Sequence, residues 1–322
     1  MDGQRIEDEK YMRRCLQLAE CGMRRAKPNP MVGAVIVAKE RIIGEGFHVR
    51  CGEGHAEVNA FASVKKEDEN LLGEACLYVS LEPCAHYGRT PPCAELIVRK
   101  GVRRVVVGCV DPFEKVSGKG ISILRNAGIE TVVGVLEDEC RWLNRRFITF
   151  NVKKRPYIIL KWAQSANGFL DDEFRQTTFS TPFTLMLSHK LRSESDAILV
   201  GRITQEREKP KLDVRHWFGE SPMRLVLDRE RPCFDGLDFS KPVLPQLMEF
   251  LYKNSVQSLL VEGGSLTHKG FIDADLWDEI RIETSPKTVI KGTPAPEIPM
   301  NASLYLRQEA DGNVIERFRK RP

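Results

Sequence analysis

No stretch of this chain approaches the ~18 consecutive apolar residues of a membrane span, and its first ten residues, MDGQRIEDEK, contain no apolar core of an export signal. A cytoplasmic protein without membrane contact is expected. Aromatic residues make up only 8%, and charge is nearly balanced, 49 Lys+Arg against 45 Asp+Glu for a net +4. No polybasic run concentrates that excess, so the footprint of a nucleic-acid binder is missing. A small anionic substrate suits the same balance. There is no fixed-period repeat, no low-complexity segment and no G-x-G-x-x-G, which argues against solenoids and against a Rossmann dinucleotide domain.

What is present is an ordinary globular composition, 42% apolar and 29% charged over 322 residues, enough for two domains. Periodicity predicts a helix over Glu9–Cys21 and strands at Met31–Val37, Ala75–Leu81 and Arg103–Cys109. A helix at Cys93–Lys100, another at Gly120–Ala127 and a strand at Thr131–Val135 complete a layered α/β domain. Arg141–Pro156 holds six basic residues and ends in Arg-Pro, which makes it the expected boundary. The domains are therefore placed at 1–150 and 151–322. The second repeats the alternation, with strands at Tyr157–Lys161, Ala197–Val200, Arg224–Asp228 and Leu259–Glu262 and helices at Thr181–Ser193 and Leu244–Lys253. Ser180-Thr181-Pro182 supplies an N-cap and a first-turn proline for one of them.

Nine cysteines in an expected reducing compartment are read first as metal ligands or buried packing residues. His55-Ala56-Glu57 opens one predicted helix, and Glu82-Pro83-Cys84 follows a strand. Cys93 opens the next helix. One imidazole and two thiolates make a three-ligand zinc site with a fourth position for water. Water made acidic by such a metal gives its proton to an adjacent carboxylate, here Glu57, which passes it to a leaving amine. The zinc deaminase signature is H-x-E followed by P-C-x-x-C; this chain stretches the second half to Pro83-Cys84-x8-Cys93. A structural zinc would need a fourth side chain, for which His86 is the one nearby candidate.

Four segments together resemble the RibD family of bifunctional riboflavin biosynthesis proteins: PNPMVGA at 28–34, GEGFH at 44–48, HAEV at 55–58 and LEPCAHYGRTPPC at 81–93. That resemblance implies a cytidine-deaminase-like α/β/α domain joined to a dihydrofolate-reductase-like α/β domain. It implies deamination of a pyrimidinone carrying a phosphoribosylamino group, followed by NADPH-dependent reduction of ribosyl to ribityl. Zinc and NADPH are then the cofactors, a phosphorylated pyrimidine is the partner, and a homo-oligomer, dimer or tetramer, is expected. Asn29, His48, His86 and Arg89 would hold the deaminase substrate, with the Arg89 guanidinium suited to a phosphate.

In the second half, KWAQSANG at 161–168 resembles the family's K-x-A-x-S-x-D-G, with Asn167 in place of Asp. The resemblance assigns Lys161, Ala163, Ser165, Thr181, Thr204, Gly263 and Gly264 to the cofactor, and Arg192, Arg215 and Glu262 to the substrate. TQEREKPKL at 204–212 stands where the family shows T-x-x-x-D-N-P-x-L, so Glu208 replaces the catalytic Asp and Lys209 the following Asn. Glu208 keeps a carboxylate but moves it by about one methylene, and misplacement near 1 Å can cost about a hundredfold in rate. Deamination alone, with a weak or inactive reductase half, is therefore the alternative expectation.

Overall fold

The computed structural model describes residues 3–87, 91–112 and 117–321, and the chain divides into two compact units, Met1–Lys153 and Lys154–Pro322. Unit 1 runs α1 (Gly3–Glu20), β1 (Gly33–Ala38), β2 (Arg41–Phe47), α2 (Ala56–Ala62), a 3-10 helix (Lys66–Glu74) and β3 (Cys76–Leu81). It continues with α3 (Cys93–Lys100), β4 (Arg104–Cys109), α4 (Lys119–Asn126), β5 (Glu130–Val133), α5 (Glu137–Leu143) and α6 (Arg145–Lys153). The sheet order is β2-β1-β3-β4-β5. β1 is antiparallel to both its neighbours, while β3, β4 and β5 are parallel.

Strand alternation builds a core on each face of this sheet. Ala34, Ile36, Leu77, Val79, Val105 and Val107 pack with Ala60, Phe61, Ile97 and Leu124 of α2, α3 and α4. Val35, Val37, Tyr78 and Val106 face Tyr11, Met12, Cys15 and Leu18 of α1 and Cys140 of α5. The result is a three-layer α/β/α unit. On β2, Gly44 and Gly46 let α2 lie directly on the strand backbone: a Cβ at either would come within 2.5–2.6 Å of the Ala60 main chain.

Unit 2 comprises β6 (Tyr157–Gln164), α7 (Pro182–Ser193), β7 (Ala197–Gly201), α8 (Arg202–Glu208), β8 (Met223–Leu227) and α9 (Val243–Lys253). After these come β9 (Ser258–Val261), α10 (Ser265–Asp273), β10 (Glu279–Thr284), β11 (Ala302–Ala310) and β12 (Asn313–Lys320). Its seven-stranded sheet has the order β11-β12-β10-β6-β9-β7-β8. β10, β6, β9, β7 and β8 are mutually parallel, and an antiparallel β11–β12 hairpin extends the β10 edge. Thr181 caps α7 through a reciprocal box with Thr184, and Pro182 occupies the first turn.

Several features depart from the sequence reading, which named neither the strand β10 nor the helix α8. The basic stretch at 141–156 is helical up to Lys153: α5 and α6 bury Cys140, Leu143, Asn144 and Thr149; Arg141, Lys153 and Lys154 are exposed, Arg145 and Arg146 are half-buried with Arg145 4.2 Å over the Trp142 ring, and Arg155 is buried against Asp278. β2 was unforeseen because the turn before it uses Lys39 and Glu40 at φ 50° and 59°, residues with no turn signature. The β11–β12 hairpin was also unforeseen, although its Asp311-Gly312 turn, φ 52° and 81°, is the strong type I′ signal. Exposed Arg307, Gln308 and Glu309 hide the alternation of β11.

Candidate active sites

Because β1 runs antiparallel to β3, the segment entering β1, the exit of β2 and the exits of β3 and β4 all lie at one end of the unit 1 sheet. Asn29, His48, His55, Cys84 and Cys93 come from these connections. His55 is the N-cap of α2 in extended conformation, and Cys93 is the first residue of α3 after Pro92. Their ligand atoms and that of Cys84 lie within 4.8 Å of one another. His55 Nδ1 is 3.5 Å from Cys84 Sγ and 3.3 Å from Cys93 Sγ. Zn–N and Zn–S bonds of about 2.0–2.1 and 2.3 Å at tetrahedral angles give an N···S edge of about 3.6 Å, so this donor set fits zinc.

Glu57 lies in the first turn of α2, 3% exposed. Burial, reinforced by the Cys84 charge, pushes its carboxyl up to about 7. Hydrogen bonding from Cys93 and from His55 holds the Cys84 thiol well below its ordinary range. Cys93 is raised, first by its hydrogen bond to Cys84 and then by burial. Two adjacent thiols lose a first proton easily and a second with difficulty until a cation arrives.

Buried His48 presents Nδ1 to the Gly54 carbonyl at 3.1 Å and Nε2 to Asn29 Nδ2 at 3.1 Å. A carbonyl only accepts, so Nδ1 carries the proton and Nε2 accepts from the Asn29 amide. Burial lowers the His48 pKa, in keeping with that neutral form. His86 is exposed, and Arg89 lies outside the described residues.

Sequence reasoning missed two residues that brace this end of the sheet. Asn144, 1% exposed, accepts from Met31 N and donates to Met31 O, both at 2.8 Å, as a strand partner would. Asn59 donates to the carbonyls of Phe47 and Gly54 at 2.8 and 3.1 Å. An Asn one helical turn after His55 was the available signal for the second; Asn144 left none.

In unit 2 a cleft of about 670 Å³ is lined by Lys161, Ala163, Arg192, Thr204, Glu208 and Glu262 together with Gly263 and Gly264. Gly264 caps α10, and a Cβ on Gly263 would come within 3.0 Å of Thr267 and the Gly201 amide. Bare backbone at a helix N-terminus, with Ser265, Thr267 and Arg207 also in the lining, fits the phosphate groups of a nicotinamide cofactor. Arg192 grips Glu262 bidentately, Nε–Oε1 3.2 Å and Nη2–Oε2 2.6 Å, and donates from Nη1 to Asp213 O at 3.3 Å. Of its five N–H groups two remain for a ligand. Although burial opposes ionisation, the charges of Lys161 and Arg192 hold the Glu262 carboxyl at about 2. Burial, then the neighbouring Asp171 charge, raises the Glu208 carboxyl.

Three expected residues stand apart from that lining. Ser165 is fully buried, bonded to Asn167 Oδ1 and Phe169 N. Thr181 is engaged in its capping box. Arg215 pairs with Asp213 on an exposed loop. Asn167, in place of the family's Asp, donates to Val289 O at 2.7 Å and accepts from Val289 N at 3.1 Å. A carboxylate there could accept from Val289 N but could not donate to Val289 O.

Comparison with known proteins agrees with this division. Residues 5–109 match the cytidine and deoxycytidylate deaminase zinc-binding region, and residues 156–300 match the RibD C-terminal domain. Riboflavin biosynthesis protein RibD of Aquifex aeolicus is 36% identical across 96% of each chain, and that of Synechocystis is 37% identical across 90% of this chain and 87% of its own. A diaminohydroxyphosphoribosylaminopyrimidine deaminase/5-amino-6-(5-phosphoribosylamino)uracil reductase from Thermotoga maritima superposes with a TM-score of 0.88 at 33% identity, covering 98% of this chain and 99% of the other. RibD of Acinetobacter baumannii gives 0.84 at 30% identity, covering 99% and 100%. Similarity over nearly the full length, in both units, means that this chain belongs to the RibD family of riboflavin biosynthesis proteins.

Proposed function

We propose that this chain carries out two consecutive steps of riboflavin biosynthesis. Unit 1 hydrolytically deaminates 2,5-diamino-6-(5-phosphoribosylamino)pyrimidin-4(3H)-one, and unit 2 then reduces the ribosyl group to ribityl with NADPH. The observation that carries this reading is the cluster of His55, Cys84 and Cys93 with Glu57 buried beside it, in a chain whose relatives match both halves. Zinc, when bound, supplies the Lewis acidity that makes water a nucleophile near neutral pH.

The chain's own residues do the rest. Glu57 takes a proton from the attacking water and delivers it to the departing amine. Asn29, oriented by His48, hydrogen-bonds the pyrimidine, and His86 and Arg89 reach its phosphoribosyl arm. In unit 2 the α10 N-terminus, Thr204 and the backbone at Gly263 and Gly264 hold the cofactor, and Lys161 and Ala163 line its approach. Ser165 and Thr181 support it by fixing the turn after β6 and the start of α7. The free N–H groups of Arg192 take the substrate phosphate, assisted by Arg215, while Glu262 keeps Arg192 aimed. Glu208 handles the proton that accompanies hydride transfer.

We assign the deaminase to residues 1–150 and the reductase to 151–322, place the protein in the cytoplasm and expect a dimer or tetramer, which light scattering measures. Ammonia release from the diaminopyrimidinone, followed by NADPH oxidation when the deaminated product is supplied, tests the two steps. Ammonia without NADPH oxidation would leave a deaminase with an inactive second half.

A further inference from the structure

Glu82 ends β3 and directly precedes Pro83-Cys84. Its side chain is buried, 4% exposed, yet no cation pairs with it among the described residues. Instead Oε1 accepts from the amides of Gly120 and Ile121 at 2.9 and 3.3 Å, and Oε2 from those of Gly118 and Asp111 at 2.9 and 3.2 Å. Three of these four donors belong to the N-terminus of α4, whose own N-cap, Gly118, has no side chain to offer. The carboxylate of one strand thus caps a helix 36 residues away in sequence, where donors and dipole both favour negative charge.

A second contact tightens the same joint. Gly120 packs against Pro83 so closely that a Cβ would overlap the Pro83 carbonyl oxygen. The turn is also held by Glu82 N to Cys109 O at 2.9 Å and by Ala94 N to Cys84 O at 3.2 Å, and Cys84 Sγ receives the Cys93 amide at 3.3 Å. The Pro83-Cys84 backbone is therefore clamped between α4 and α3.

We propose that Glu82 is a positioning residue for the metal site, holding the Pro83-Cys84 turn on the first turn of α4 so that the Cys84 thiolate stands ready for zinc. A carboxylate is needed because all four donors point at it. An amide in its place would turn an NH2 group toward two of them, which leaves those N–H groups unpaired and pushes the turn outward.

This rests on the zinc reading above, and the experiment separates the two. Zinc affinity is measured by chelator competition, and ligand geometry by the visible absorption of the Co2+-loaded protein, for wild type, Glu82→Gln and Gly120→Ala. Both variants are expected to bind zinc about 10- to 100-fold more weakly, with altered Co2+ bands and with the NADPH-dependent activity of unit 2 at wild-type level. Wild type that binds no zinc would defeat the zinc reading itself. Wild type that binds it, with both variants within twofold and Co2+ spectra unchanged, would overturn the role of Glu82 alone. Should Glu82→Gln fail to fold by circular dichroism, Gly120→Ala, which keeps the carboxylate, decides the question. Loss of fold in both would reduce Glu82 to a structural cap and also overturn the proposal.

Discussion

At the scale of single residues, the most informative side chains are those whose chemistry and surroundings pull in different directions. Glu57 is a carboxyl almost wholly out of water; burial raises it to about 7, and a neighbouring cation favours its ionised form. Glu57→Gln is expected to retain zinc by elemental analysis while ammonia release falls by about 10²–10⁴-fold. Retained activity would remove Glu57 from the mechanism. Lys209 poses the reverse case. It terminates α8 in the left-handed region at φ 44°, where a Cβ costs roughly 1–2 kcal/mol and where Asn, usual at this position in the family, is better tolerated. Lys209→Asn is expected to raise unit 2 stability by up to about 1 kcal/mol in urea unfolding. His55, Cys84 and Cys93 were legible from the sequence because metal chemistry dictates residue type and local spacing. The roles of Asn144 and Glu82 were not, since each acts on a segment distant in sequence, although Glu82 itself stands in the LEPCAHYGRTPPC segment.

At the scale of elements, helix starts do much of the positioning. Thr181 and Thr184 form the capping box of α7, the helix that carries Arg192, and Thr181→Ala is expected to lower unit 2 stability by about 1 kcal/mol in denaturant titration. α10 carries His268, fully buried with Nδ1 3.2 Å from Gly264 O and Nε2 3.1 Å from Val261 O. Burial lowers its pKa to about 4 despite those carbonyls, against roughly 6.5 in an unfolded chain. Between those values the unfolded state binds the extra proton, so stability falls as pH falls from about 6.5 to 4. His268→Gln should flatten that part of a stability-versus-pH curve. Elements with clear periodicity were legible: α3 spans the predicted Cys93–Lys100. β2, α5, α6 and the terminal hairpin were obscured where exposed polar residues or atypical turns mask the pattern.

At the scale of the molecule, each unit has its own sheet, its own cores and its own cluster of functional side chains. Metal and cofactor demands therefore separate. Removing zinc with a chelator is expected to abolish ammonia release and leave NADPH oxidation on the deaminated product intact; a parallel loss of both would contradict that independence. Composition set the number of domains and the shifts in pattern set their class, but the sites needed the sheet order. The reversal of β1 between β2 and β3 is what brings the segments before and after the β1–β2 hairpin to the end where the thiols lie. Residues 28–54 thus form a cassette that carries Asn29 and His48, while α2, α3 and the turn after β3 carry His55, Glu57, Cys93 and Cys84. Transplanting that cassette whole from a deaminase of different preference should alter which pyrimidine is accepted without altering zinc content, so in this architecture substrate choice and hydrolytic power can diverge independently.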